Sequence, residues 1–205
     1  MNIILILVIG LSLLVFSYFT ASSLRTLKAT QFGNIVKMRK NNKDYSIQDL
    51  PDKQGALDMI NKIDEWVVRL IDSLLKEMGH LDAVQRLATN YNSDSLIEGD
   101  PLNKNNYTSY SINKGQNLII CLRSRQNLEV HNFTLISFVV AHELAHLASV
   151  SVGHNKEFYK NFKMILSHAI KKGMFDINYF EMNEKVEYCG MNIYNNPVKG
   201  VLNRK

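Results

Sequence analysis

The stretch FVVAHELAHLASVSVGHNKEFYKNF, residues 138–162, places two histidines and a glutamate inside an apolar run of helix formers, with a third histidine just past a glycine. On an α-helix, residues four apart share a face, so His142 and His146 present their imidazoles side by side, close enough to share one ion. Glu143 lies one residue further round, beside that ion. This is the HExxH arrangement, in which two neutral imidazoles hold zinc and the glutamate accepts a proton from the attacking water. A catalytic zinc needs a third protein ligand and keeps one position open. His154 is the candidate, because Gly153 lets the helix end in a left-handed turn that brings the next residue back toward the site. Glu157, one turn into the following segment, is the alternative third ligand. Incidental buried histidines are the bland explanation, but LISFVVAHELAHLA is apolar on nearly all sides. Burying two His and one Glu there costs on the order of several kcal/mol unless a partner satisfies them, and a metal would.

The elements that must position these residues are legible around them. Pro51 and Asp52 open ALDMINKIDEWVVRLIDSLLKEM, where Leu57, Ile60, Ile63, Trp66, Val67, Leu70, Leu74 and Leu75 recur at steps of three and four, predicting a long core-packing helix. LDAVQRLATNY predicts a second, shorter helix, and NSDSLIEGDPLNKNN reads as a loop. Two strands, YTSYSI and QNLIICLR, are joined by the hairpin signal Asn113-Lys114-Gly115. The second strand leads to the histidine-bearing helix, and there an extended peptide can add as one more strand through backbone hydrogen bonds. IVKMRK and DYSIQ flank Asn41-Asn42-Lys43 and predict another hairpin, and VEYCGMNIYNNPV predicts a short C-terminal strand pair. The expected architecture is α+β: a few helices on a small antiparallel sheet, with the metal in a cleft between the active helix and the sheet edge.

With 205 residues, 46% of them hydrophobic, the chain suits one catalytic domain plus a small accessory segment. The net charge of +5 favours anionic partners only weakly, and no basic patch is interleaved with aromatics, so nothing supports a nucleic-acid partner. Cys121 and Cys189 lie far apart without a CxxC and read as buried free thiols of a reducing compartment. The run from Ile3 to Phe19 carries no charge, and the first charged side chain is Arg25. As a helix rising about 1.5 Å per residue, the segment up to roughly Ser23 would cross a hydrocarbon core of about 30 Å. Positive charge follows at Arg25, Lys28, Lys37, Arg39 and Lys40, which keeps that flank cytosolic by the positive-inside rule. Residues 1–25 are therefore expected to be a single-pass membrane anchor, and 26–205 a cytosolic, monomeric catalytic domain. Two sequons, at Asn106 and Asn132, would argue for the opposite side if glycosylated.

HELAH followed by GHNKEFYKNF resembles the WLM-type zinc metalloproteases, relatives of the SprT-like proteases within the zincin group. SYSINKGQNLIICLR, TLISFVVAHELAHLA and VEYCGMNIYNNPV further resemble WLM-domain proteins of large DNA viruses and some algae, over about Ile35 to Pro197. The resemblance implies a minimal zincin-like fold and a peptide-bond hydrolase acting on protein or peptide substrates. It makes His142, His146 and His154 zinc ligands, Glu143 general base and acid, and Phe158 a packing aromatic. Seven residues, Leu147 to Gly153, separate the second and third histidines, more than in the family's shorter pattern, which keeps Glu157 open as a ligand. Relatives that cleave proteins crosslinked to DNA make DNA-associated substrates one alternative. A protease-like binding module without activity is another, against which the intact Glu143 speaks. His80, His131 and His168 read as surface or cap residues and Glu181, Glu184 and Glu187 as solvated, while Tyr179 and Tyr188 are open candidates for stabilising an oxyanion.

Overall fold

Asn41 and Asn42 both take positive φ (51° and 61°), the conformation a two-residue hairpin turn demands and one that asparagine tolerates. They join β1 (Ile35–Lys40) to β2 (Lys43–Gln48) in antiparallel register, as the spacing predicts. The computed structural model describes residues 32–103, 108–182, 185–194 and 197–203. The expected anchor, residues 1–25, and the first sequon position, Asn106, lie outside the described residues. Among the described residues, no helix is long and apolar enough to cross a membrane.

Helix α1 (Lys53–Met78) starts where the Asp52 carboxylate accepts the Gly55 N–H at 3.0 Å. Its apolar stripe, from Ala56 through Ile60, Ile63, Val67 and Leu70 to Leu74, is fully buried. Trp66 is a packing residue too, and its indole N–H donates to the Met174 carbonyl at 2.8 Å. After α2 (Asp82–Asn90), the stretch expected to be a loop contains the three-residue strand β3 (Leu96–Glu98). The predicted hairpin follows as β4 (Tyr110–Ile112) and β5 (Asn117–Ile120), turning through Asn113, Lys114 and Gly115, all at positive φ.

The strand order is β1-β2-β3-β5-β4. Here the expectation of an antiparallel sheet is corrected: β3 runs parallel to both β2 and β5 at the centre of a mixed sheet. A parallel neighbour needs a crossover connection, and α1 and α2 supply it between β2 and β3. β5 is interior, so the edge strand beside the helices is β4, not the strand that leads to the active helix.

Behind them come α3 (Phe133–Ala148), α4 (Lys156–Lys171) and α5 (Tyr179–Met182). The expected C-terminal strand pair is β6 (Lys185–Tyr188) with β7 (Met191–Tyr194), followed by α6 (Pro197–Leu202). This hairpin is tied to the exit of β5 by a Cys121–Cys189 disulfide, with Cα atoms 6.3 Å apart. The free-thiol expectation is thereby overturned. Spacing along the chain says nothing about two segments that tertiary packing brings together across 68 residues.

At the centre of this arrangement sits a fully buried ion pair, Arg123 Nε to Glu98 Oε1 at 2.6 Å. Glu98 also accepts the Gln48 N–H at 2.8 Å, and Arg123 donates to the Asp52 carbonyl at 3.2 Å and to that of Pro51. One guanidinium thus joins the sheet to the start of α1. Burial pushes the Glu98 carboxyl up, and Arg123 opposes that shift.

Candidate metal centre

Helix α3 begins at Asn132, whose side chain accepts the Thr134 N–H at 2.8 Å, and is apolar almost all round because α1, α2, α4 and the sheet enclose it. It opens toward β4. There, His142 and His146 are half-buried and Glu143 is buried, all three lining a cleft of about 580 Å³. The opposite wall is Ser109, Tyr110, Ser111, Asn113 and Lys114, and the rim is Val152, Gly153 and His154.

The structure brings the three sequence-predicted histidines together. His154 Nε2 lies 2.9 Å from His142 Nε2 and 3.2 Å from His146 Nε2. Two nitrogens bound tetrahedrally to zinc at about 2.05 Å sit roughly 3.3 Å apart, so the convergence is close to that of a zinc site before any ion is placed. These nitrogens meet one another rather than a carboxylate or carbonyl, a donor set that a cation satisfies. Among the described residues, this is the one cluster of three or more His, Cys, Asp or Glu side chains arranged to hold a metal. Phe158, fully buried, lies under all three imidazoles with ring centroids 4.8, 4.4 and 4.7 Å away. It is the packing residue expected.

Burial sets the protonation states. Desolvation, with the neighbouring imidazoles adding repulsion, pushes His142 down to about 3. Desolvation and His154 push His146 down to about 4. Both are neutral, hence competent to bind a metal, well below neutral pH. Desolvation raises the Glu143 carboxyl to about 7, opposed by the Ser111 backbone, which places it in the range of a general base and acid near neutrality.

Glu157 does not join the histidines. Its carboxylate turns into the loop between α3 and α4, accepting the Val150 N–H at 2.9 Å, the Ser151 N–H at 3.0 Å and the Ser151 hydroxyl at 2.5 Å. The Ser151 hydroxyl and these amides hold it down at about 2. The glycine turn is present, with Gly153 at φ 83°, but it does not end the helix. Helix α3 stops at Ala148, with Ser149 extended, and Gly153 turns the loop further on.

The helix end has partners that the sequence reading missed. Asn90 Nδ2 donates to the Leu147 carbonyl and Arg86 Nε to that of Ala148, both at 2.9 Å, so α2 caps α3. Lys114, read only as a turn residue, donates to the carbonyls of Ser149 (2.7 Å), Ser151 (2.8 Å) and His146 (3.4 Å). No local pattern marks a turn lysine for this task.

The other candidates fall outside the cleft. Tyr188 is fully buried, donating to the Cys121 carbonyl at 2.9 Å and bonded to Ser109 Oγ at 2.6 Å, and Tyr179 does not line the site. His168, expected at the surface or a cap, is buried against Ser73 Oγ at 2.8 Å. His131 is half-buried and accepts the Cys189 N–H at 3.2 Å, while His80 is exposed in the turn after α1. Glu181 is exposed beside Lys199, and Glu187, partly exposed, accepts the Gly190 N–H at 2.5 Å. Glu184 lies outside the described residues.

Known proteins resemble this one over most of its length. The family model described as the WLM domain matches residues 39–197. Protein R325 of Acanthamoeba polyphaga mimivirus is 30% identical over 168 residues, which span 80% of this chain and 84% of that protein. Protein 136R of Invertebrate iridescent virus 6 is 31% identical over 70 residues, 33% of this chain and 39% of its own length. Among solved structures, Wss1 from Saccharomyces cerevisiae matches with a TM-score of 0.46 and 21% identity, over 62% of this chain and 88% of that one.

Proposed function

Because the chain belongs to the WLM domain family, we propose that it is a zinc-dependent peptidase with His142, His146 and His154 as ligands and Glu143 as general base and acid. The observation that carries this reading is the convergence of three imidazole nitrogens, with separations of 2.9 and 3.2 Å between His154 and its two partners, beside a buried carboxyl tuned to about 7. When bound, the zinc supplies Lewis acidity and makes water a usable nucleophile at neutral pH.

The protein's own groups do the rest. Glu143 takes the proton of the attacking water and returns it to the departing amine, a role for which a group titrating near 7 is suited in both directions. An extended peptide fits along β4, an edge strand hydrogen-bonded to β5 on one side and facing the cleft through Tyr110 and Ser111. Backbone pairing of that kind selects for an unfolded segment more than for a sequence. The apolar N-terminal run would hold the enzyme at a membrane.

The test is the zinc content of the purified chain together with cleavage of an unstructured polypeptide. About one zinc per chain and cleavage lost on Glu143→Gln, by roughly 10²- to 10⁴-fold, are expected. A chain that takes up no zinc would end the reading, and zinc-loaded protein that binds peptides without cutting them would leave a binding module in its place.

A further inference from the structure

The loop that leads to the third histidine, residues 150–153, has almost nothing apolar to hold it. Val150 and Val152 are 67% and 87% exposed, and a side chain built on Gly153 would meet no atom within 4 Å. A segment without buried contacts takes its position from polar contacts or has no fixed position. Ser149, just before it, is buried, its hydroxyl donating to the Ala145 carbonyl at 2.7 Å and accepting from Asn161 Nδ2 at 2.9 Å. Beyond that anchor, two oppositely charged residues supply the contacts from opposite sides. The Lys114 ammonium takes the carbonyls of Ser149 and Ser151, and the Glu157 carboxylate takes the loop's amides, at Val150 and Ser151.

We propose that Lys114 and Glu157 are positioning residues that clamp this loop and so deliver His154 to the other two imidazoles. The inference rests on the zinc reading and adds to it. Each clamp residue belongs to an element that the core fixes. Lys114 stands in the β4–β5 turn, where a side chain at Gly115 would collide with the Asn90 carbonyl of α2. Glu157 stands in the first turn of α4, one residue before the buried Phe158 that underlies all three imidazoles. Arg86 of α2 lies 3.5 Å from Glu157 and steadies it. The long spacing between the second and third histidines is what makes a clamp necessary, since each added loop residue adds freedom to be lost. Because Lys114 also stands in the turn that follows the edge strand that would carry the peptide, one residue would keep the substrate wall and the third ligand in register.

Zinc affinity, measured on the 205-residue chain by competition with a chelator, tests this with Glu157→Gln, Lys114→Met, His154→Ala and the two double variants containing His154→Ala. Each clamp substitution alone should weaken zinc binding by roughly ten- to a hundred-fold, as loss of an orienting partner does. Neither should weaken it further once His154 is gone, because a positioning residue has then nothing to position. Hydrogen exchange on the metal-free chain should show the Val150 and Ser151 amides exchanging faster in Glu157→Gln, with the amides of α1 unchanged. Unaltered zinc affinity in both single variants, or an equal loss with and without His154, overturns the clamp while leaving the zinc site standing. If the unaltered chain binds no zinc, the peptidase reading and the clamp fall together.

Discussion

At Glu143, burial and a backbone hydrogen bond from Ser111 act in opposite senses, and the result can be read from proton counts. In the metal-free protein the carboxyl is raised from its ordinary 4.5 to about 7, while His142 and His146 are lowered from 6.5 to about 3 and 4. Glu143 therefore keeps its proton in the folded chain between 4.5 and about 7, where the unfolded chain has released it. Its contribution to stability is full below 4.5 and is lost as pH rises through 7. The imidazoles act oppositely: below 6.5 the unfolded chain takes up protons that the folded site refuses, so they destabilise the metal-free fold as pH falls toward 4. A zinc ion beside Glu143 favours its charged form. Zinc binding at pH 6 should accordingly release a proton from Glu143 and essentially none from His142 or His146. Calorimetry in two buffers of different ionisation enthalpy measures the total release, which should be smaller in Glu143→Gln by the Glu143 proton.

The histidine helix is capped at both ends, at its C-terminal end by another element. Asn132 caps its start from its own chain, whereas Asn90 and Arg86 of α2 satisfy the Leu147 and Ala148 carbonyls. Within the loop that follows, the left-handed Gly153 is the point where the chain turns back. Since there is open space around it, replacement by alanine meets no clash and costs only the conformational penalty, about 1–2 kcal/mol. Gly153→Ala should thus leave metal-free thermal stability nearly intact if the loop gives way instead, and express its cost as weaker zinc binding. A fall in stability with unchanged zinc affinity would show that the turn serves the fold rather than the site.

Across the molecule, a fully buried ion pair and a covalent link hold separate elements together. Glu98→Ala would strand the Arg123 charge in a site with no exposure and should cost about 3–5 kcal/mol in denaturant unfolding. The Cys121–Cys189 bridge closes a span of 68 residues, worth roughly 4 kcal/mol by loop entropy, so reductant should lower the unfolding midpoint. Cys189→Ser should show that lower midpoint without reductant. Denaturation without reductant should expose no free thiol. A disulfide belongs in an oxidising compartment, whereas the charges flanking the N-terminal run predict a cytosolic domain. Two free thiols per chain would decide for the cytosolic side.

What the sequence determined by itself is what short-range geometry encodes. His142, His146 and Glu143 share a helix, so their common face follows from 3.6 residues per turn, and His154 lies close enough along the chain for a glycine turn to return it. The amphipathic stripe of α1 and the hairpin turns at Asn41-Asn42 and Asn113–Gly115 are local in the same sense. Strand β3 is three residues long, too short to show alternation, and only its place between β2 and β5 makes it a strand. Glu157 could as well have been a ligand from its position one turn into α4. Its choice of the Val150 and Ser151 amides, like that of Lys114 for the carbonyls, depends on where the loop passes. The pairing of Cys121 with Cys189 and of Glu98 with Arg123 was likewise decided by packing, because no periodic signal connects residues that meet only when separate elements dock.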